Sequence, residues 1–91
     1  MIAWHESKRQ MNLRQHGIDF AELVCVFDYP MLTREDMRRA YGEQRLLSLA
    51  WFQDRVVFLV WTECADCARL ISCRYGTNYE NNAYFKALES A

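Results

Sequence analysis

Three arginines, Arg45, Arg69 and Arg74, stand in stretches of alternating apolar character, where a strand would hold their side chains more rigidly than a loop. A guanidinium is a planar fork that grips two oxygens of a phosphate and does not lose its charge. Three of them, or two, drawn to one place would make an oxyanion site; singly, each is equally a solvated charge or a partner for Glu43 or Asp66. Glu43 lies two residues before Arg45, on the same side of an extended chain, and can orient that arginine or take a proton. His16 is of the one residue type that ordinarily changes charge around neutral pH, so it suits acid–base work, yet its place before Gly17 suits the closing of a helix end better. Lys8 can bind phosphate or donate a proton. Trp4 and Tyr84 can stack on a base, or simply fill a core. Cys64-x-x-Cys67 has half the spacing of a zinc site, but no second pair accompanies it and neither histidine is near in sequence. No metal or cofactor is expected.

The elements that must position these residues follow from periodicity. With 91 residues, one domain over the whole chain is expected, and 52% apolar content is enough to build one core. No apolar run has membrane-spanning length, and residues 1–9 lack the apolar stretch of a signal peptide, so a cytoplasmic protein with all four cysteines reduced is expected. The net charge of −1 neither selects nor excludes a nucleic-acid ligand, since a site needs only a local cluster of cations; residues 1–17 carry +2. Ile2 to Trp4 suits an edge strand. His5 to His16 suits a helix ended by Gly17, with Trp4, Lys8, Met11, Asn12 and Gln15 along one side. Asp19 and Glu22 predict a capped second helix through Val26, stopped by Pro30. From Met31 to Gly42 the pattern fits either a single turn capped by Thr33 and running to Arg39, or a loop. Alternation then puts Arg45, Leu47, Leu49 and Trp51 on one face and Leu46, Ser48, Ala50 and Phe52 on the other. Arg55 to Thr62 is apolar on both faces, Ala68 to Arg74 makes a third strand, and Thr77 with Glu80 caps a last helix to Leu88. The expected class is α+β: a short strand, two helices, a three-stranded antiparallel meander and a closing helix.

Taken in order, Trp4, Lys8, Asn12, His16-Gly17-Ile18, Phe20, Val26-Phe27-Asp28 and Pro30 resemble the opening of the BrnT toxin family. Tyr41-Gly42-Glu43-Gln44-Arg45, Val60-Trp61-Thr62-Glu63, Arg69-Leu70-Ile71-Ser72-Cys73-Arg74 and the Thr77, Glu80, Tyr84 set resemble its later motifs. The sequence departs from the family pattern at Ala40, Ala50, Cys64, Cys67 and Asn81, three of which replace arginines. The resemblance implies a RelE-like fold and metal-independent endoribonuclease activity. It also implies neutralisation by a BrnA-like ribbon-helix-helix antitoxin, with contact to DNA only through that antitoxin, no membrane and a 2:2 hetero-oligomer. Such cleavage needs a base at the ribose 2′-hydroxyl, cations on the phosphate oxygens and an acid at the leaving 5′-oxygen. Lys8, His16, Glu43, Arg45, Arg69 and Arg74 are the candidates for these roles, with Trp4 and Tyr84 as base contacts. The lost arginines motivate an alternative, a non-cleaving relative that binds antitoxin and acts in co-repression.

Overall fold

The computed structural model describes residues 1–38 and 42–90. β1 (Ile2–Trp4) leads into α1 (Glu6–His16), followed by two 3-10 turns, Phe20–Glu22 and Val24–Asp28. The chain continues through β2 (Leu32–Glu35), β3 (Leu46–Phe52), β4 (Arg55–Cys64), β5 (Cys67–Tyr75) and α2 (Asn78–Glu89). Among the described residues the strands form one five-stranded sheet ordered β1-β5-β4-β3-β2, antiparallel except where β1 runs parallel to β5. The expected α+β class and the β3–β4–β5 meander are both present.

Each face of the sheet has its own apolar layer. On the first face Ala50, Phe52, Val57, Leu59, Leu70 and Cys73 pack against Ile18, Phe20, Leu23 and Val26 from the segment after α1. Burying each larger side chain there contributes about 1.5–3 kcal/mol. On the second face Leu49 and Val56, with Trp51 and Phe58 beside them, meet Tyr84 and Ala83 of α2. The alternation read from β3 therefore holds, Leu49 and Trp51 turning to one layer and Ala50 and Phe52 to the other. The β3–β4 turn places Gln53 and Asp54 at φ of 48° and 62°, the left-handed pair whose twist matches the flanking strands.

α1 is almost wholly exposed; Asn12 is its buried residue among those described. That side chain fastens the helix. Its Nδ2 donates to the Ile18 carbonyl at 2.9 Å, and its Oδ1 accepts from the Cys73 N–H of β5 at 2.8 Å. Of the other residues expected along that side, Trp4 is half-buried while Lys8, Met11 and Gln15 face solvent. Gly17, at φ 72°, takes the left-handed position that closes the helix, its N–H donating to the Leu13 carbonyl.

Several expectations are corrected. The second helix is the pair of 3-10 turns: the Asp19 carboxylate accepts from Ala21 N–H but is also gripped by the Arg9 guanidinium at 2.7 and 2.9 Å, and Phe20, Leu23 and Val26 are drawn into the core. The Met31–Gly42 segment is neither a helical turn nor a loop throughout, because Leu32–Glu35 is an edge strand paired with β3 and Thr33 bonds Ser48. The remainder of that expectation, at Arg39, Ala40 and Tyr41, lies outside the described residues. Four reduced thiols are not what the structure holds: Cys64 and Cys67 face each other across the β4–β5 turn and are joined in a disulfide, leaving Cys25 exposed and Cys73 buried as thiols.

Candidate active site

Arg69 and Arg74 are five residues apart, a spacing that would put them on opposite faces of a regular strand. The β4–β5 pairing, however, shifts between Val60 and Trp61: Val60 lies opposite Ser72, and Trp61 opposite Leu70. Ile71 is thus an extra residue, a bulge that restores the parity. Arg69 falls opposite Thr62 and Arg74 opposite Phe58, four residues apart on β4, so both arginines stand on the second face. The core confirms the count, since Leu70 and Cys73, three apart, both enter the first-face layer.

The second face is only partly covered by α2. At its open end Arg69 Nη2 lies 2.6 Å from Glu43 Oε2, with both side chains partly exposed. Glu43 rides on the segment leading into β3, and that segment is anchored from two sides. Thr62 Oγ1 donates to the Gln44 carbonyl, and Asp36 N–H donates to the Arg45 carbonyl at 2.8 Å. Arg45 itself sits half-buried immediately before β3. The orienting role expected of Glu43 toward Arg45 is therefore exercised on Arg69, across the sheet.

Arg74 is held at the border with α2. Its fork meets both Glu80 carboxylate oxygens, at 2.8 and 3.0 Å, and its Cζ lies 4.4 Å above the Phe58 ring. Glu80 has a second task as the return partner of the Thr77 capping box, accepting from the Thr77 N–H at 2.9 Å. Hydrogen bonding to Arg74 and then to Thr77 outweighs its burial and lowers its carboxyl to about 2. Glu80 is therefore ionised at neutral pH and carries no proton to donate, while the Arg74 guanidinium is held more firmly charged by the same contact.

The remaining candidates are not brought to these arginines. Lys8 is exposed and His16 half-buried on α1, which lies along β5; among the described residues neither side chain bonds to Glu43, Arg69, Arg74 or Glu80. Nor does the His16 imidazole close the helix end, a task left to the Gly17 backbone. The Trp4 indole N–H donates to Glu6 at 3.3 Å while the ring leans on the first-face core. Tyr84 corrects an expectation: at 2% exposure, stacked on Trp51 and donating its hydroxyl to the Pro30 carbonyl at 2.8 Å, it offers no free ring to a base. Its work is to fasten α2.

Two residues that the sequence did not single out share this face. Arg34 on β2 and the exposed Tyr79 at the start of α2 line a cleft of about 390 Å³ together with Leu32, Leu47, Phe58 and Glu80. Arg34 carried no readable signal because all four residues of β2 are exposed and their order lacks alternation. Cys64 and Cys67 are bound to each other, so their sulfurs are not offered to a metal, and no group of three His, Cys, Asp or Glu side chains is arranged around a common point among the described residues. No helix among those residues is long and apolar enough to cross a membrane.

What this arrangement can do is hold an anion. Two guanidinium groups on an open sheet face, each fixed by a carboxylate, beside a cleft with an apolar floor, suit a phosphate carrying an organic group. Comparison with known proteins agrees in kind. The family model described as a ribonuclease toxin, BrnT, of type II toxin–antitoxin systems matches residues 4–80. No curated protein matches the chain.

Proposed function

The chain belongs to the BrnT family of ribonuclease toxins of type II toxin–antitoxin systems, and from that membership we propose that it is an endoribonuclease working without metal from the second face of the sheet. The observation that carries the reading is the bulge at Ile71, which turns Arg69 and Arg74 to one side. In the proposed reaction the ribose 2′-hydroxyl attacks the adjacent phosphorus, the 5′-oxygen leaves, and a 2′,3′-cyclic phosphate forms. Arg69 and Arg74 hold the non-bridging oxygens, whose negative charge grows in the transition state; fixed cations act there at little reorganisation cost. Glu43, 2.6 Å from Arg69 and partly exposed, sets that guanidinium and is the carboxylate best placed to accept the 2′-hydroxyl proton. Arg45 adds positive charge at the same end. Lys8 and His16, on α1, stand apart from this centre and are left out of the proposed reaction.

Membership implies an antitoxin partner. Its BrnA-like identity, a 2:2 assembly, contact with DNA through the antitoxin alone, and action in the cytoplasm belong to the same proposal. The experiment is cleavage of a structured RNA by purified protein in excess EDTA, with end-group analysis. Cyclic phosphate ends that disappear in Arg69→Ala and Arg74→Ala support the reading. Intact RNA with folded wild-type protein that still binds antitoxin would assign the chain to the non-cleaving alternative.

A further inference from the structure

The cleft beside Arg74 has a composition that phosphate binding alone does not need. Its floor is apolar, made by Leu47, Leu49 and Phe58, and Tyr79 stands at its rim with 83% of its surface exposed. An aromatic ring so exposed at the first turn of a helix contributes nothing to the core; Tyr84, one turn and a half later, does that work. Arg34 lies on the opposite rim. Among the described residues its guanidinium has no carboxylate partner, whereas Arg69 and Arg74 each have one. Register fixes its direction: Arg34 is opposite Leu47, and Leu47 opposite Val60, so it shares the second face with Arg74. From β2 to β5 is three strand spacings, about 14 Å between backbones, with Arg34 lining the cleft and Arg74 held at its edge on Glu80 and Phe58. The one carboxylate in the lining, Glu80, is already neutralised by Arg74.

We propose that this cleft is a nucleotide subsite for single-stranded RNA, in which one unstacked base lies on the apolar floor against Tyr79 while Arg34 holds a phosphate of the same strand outside the scissile position. The inference rests on the ribonuclease reading and adds to it the substrate's strandedness and two binding residues. Charge complementarity selects the occupant: an apolar floor between cations suits a base flanked by phosphates, and a volume of about 390 Å³ lies in the range of sites that hold one small organic group. A duplex would present no free base to the floor.

The test uses a short single-stranded RNA methylated at every 2′-oxygen, which cannot be cleaved, and fluorescence anisotropy over a series of salt concentrations. Tyr79→Ala weakens binding about tenfold with an unchanged salt slope, because stacking releases no counterions, and Tyr79→Phe restores it. Arg34→Gln weakens binding and lowers the slope of log affinity against log salt by about 0.7, the value for one phosphate contact on a single strand. Arg14→Gln, on the exposed part of α1, controls for overall charge and leaves both affinity and slope in place. All three positions are exposed, and unchanged melting curves establish that each variant is folded. Cleavage of natural RNA by both rim variants with unaltered KM and affinity would overturn the subsite while leaving the nuclease in place, and would give the cleft to a protein partner. Wild-type protein that neither cleaves RNA nor binds the methylated strand would overturn both readings.

Discussion

Arg74 does two things on this reading, holding α2 to the sheet and holding the substrate's phosphate, and the two can be separated. Arg74→Ala removes both. Glu80→Gln removes only the ionic fork: the amide oxygen still accepts from the Thr77 N–H, and the freed guanidinium stays over Phe58. The pair is two-pronged but partly open, with Arg74 38% and Glu80 18% exposed, so solvent screening limits its contribution to about 1–2 kcal/mol. In a domain of this size each kilocalorie moves the melting temperature by about 4–8 °C, so both variants should melt roughly 5–15 °C below wild type. Activity should divide them. Loss of one donor to a developing oxyanion costs about 2.7 kcal/mol or more, a factor of at least about 100 in the rate of the chemical step, for Arg74→Ala. Glu80→Gln should stay within about threefold. The assay is single-turnover cleavage of an end-labelled RNA at 25 °C, with circular-dichroism melts of the same preparations. Equal loss of activity in the two variants would mean that Arg74 is only a strut, and undiminished cleavage by Arg74→Ala would remove it from the reaction.

Other outcomes follow from single groups. The Glu80 carboxyl is depressed in the folded state to about 2 from an ordinary 4.5, so the stabilisation it gives is fully present above about pH 5 and is lost as the pH falls through that interval; the melting difference between wild type and Glu80→Gln should shrink steadily from about pH 5 and vanish only once the pH is below the folded-state value. Asn12→Ala leaves the Ile18 carbonyl and the Cys73 N–H unpaired in a site only 3% exposed, a loss of about 2–4 kcal/mol readable in urea denaturation; a change below about 0.5 kcal/mol would refute the anchoring role. Thiol titration without reductant should find Cys25 at once and Cys73 only on unfolding, since burial pushes that thiol up to about 12, with Cys64 and Cys67 reacting only after reduction. Three thiols in native protein, or four after unfolding, both without reductant, would contradict the hairpin disulfide.

How much of this was legible in the residues varies by element. β3, β4, β5 and α2 were readable because each states its own period or cap: Leu49 and Trp51 against Ala50 and Phe52, the doubly apolar run after Arg55, the Thr77–Glu80 box. β2 was not, since an edge strand exposed at all four positions is specified by its neighbour's free hydrogen-bonding groups rather than by its own pattern. Asp19 and Glu22 were misleading because a capping oxygen says where a turn starts and nothing about how far it continues; Arg9, ten residues earlier, and the pull of Phe20, Leu23 and Val26 into the core decided that. Glu43 was readable as a partner for any of the three arginines, but its choice of Arg69 depends on how the approach to β3 crosses the sheet. Arg34 and Tyr79 are neighbours only in three dimensions.

The extra residue in β5 means that the site rests on an irregularity as much as on its arginines. With Ile71 deleted, Leu70 and Ser72 would follow one another in an unbroken ladder, and Arg69 and Arg74, then four apart, would still face the same way. What the site could not survive is Ile71 taken into regular pairing: at its present length the strand would turn one half over, either sending Arg69 to the covered surface or exchanging Arg74 with Cys73. Both guanidinium groups would then remain in the sequence with no common target to present them to.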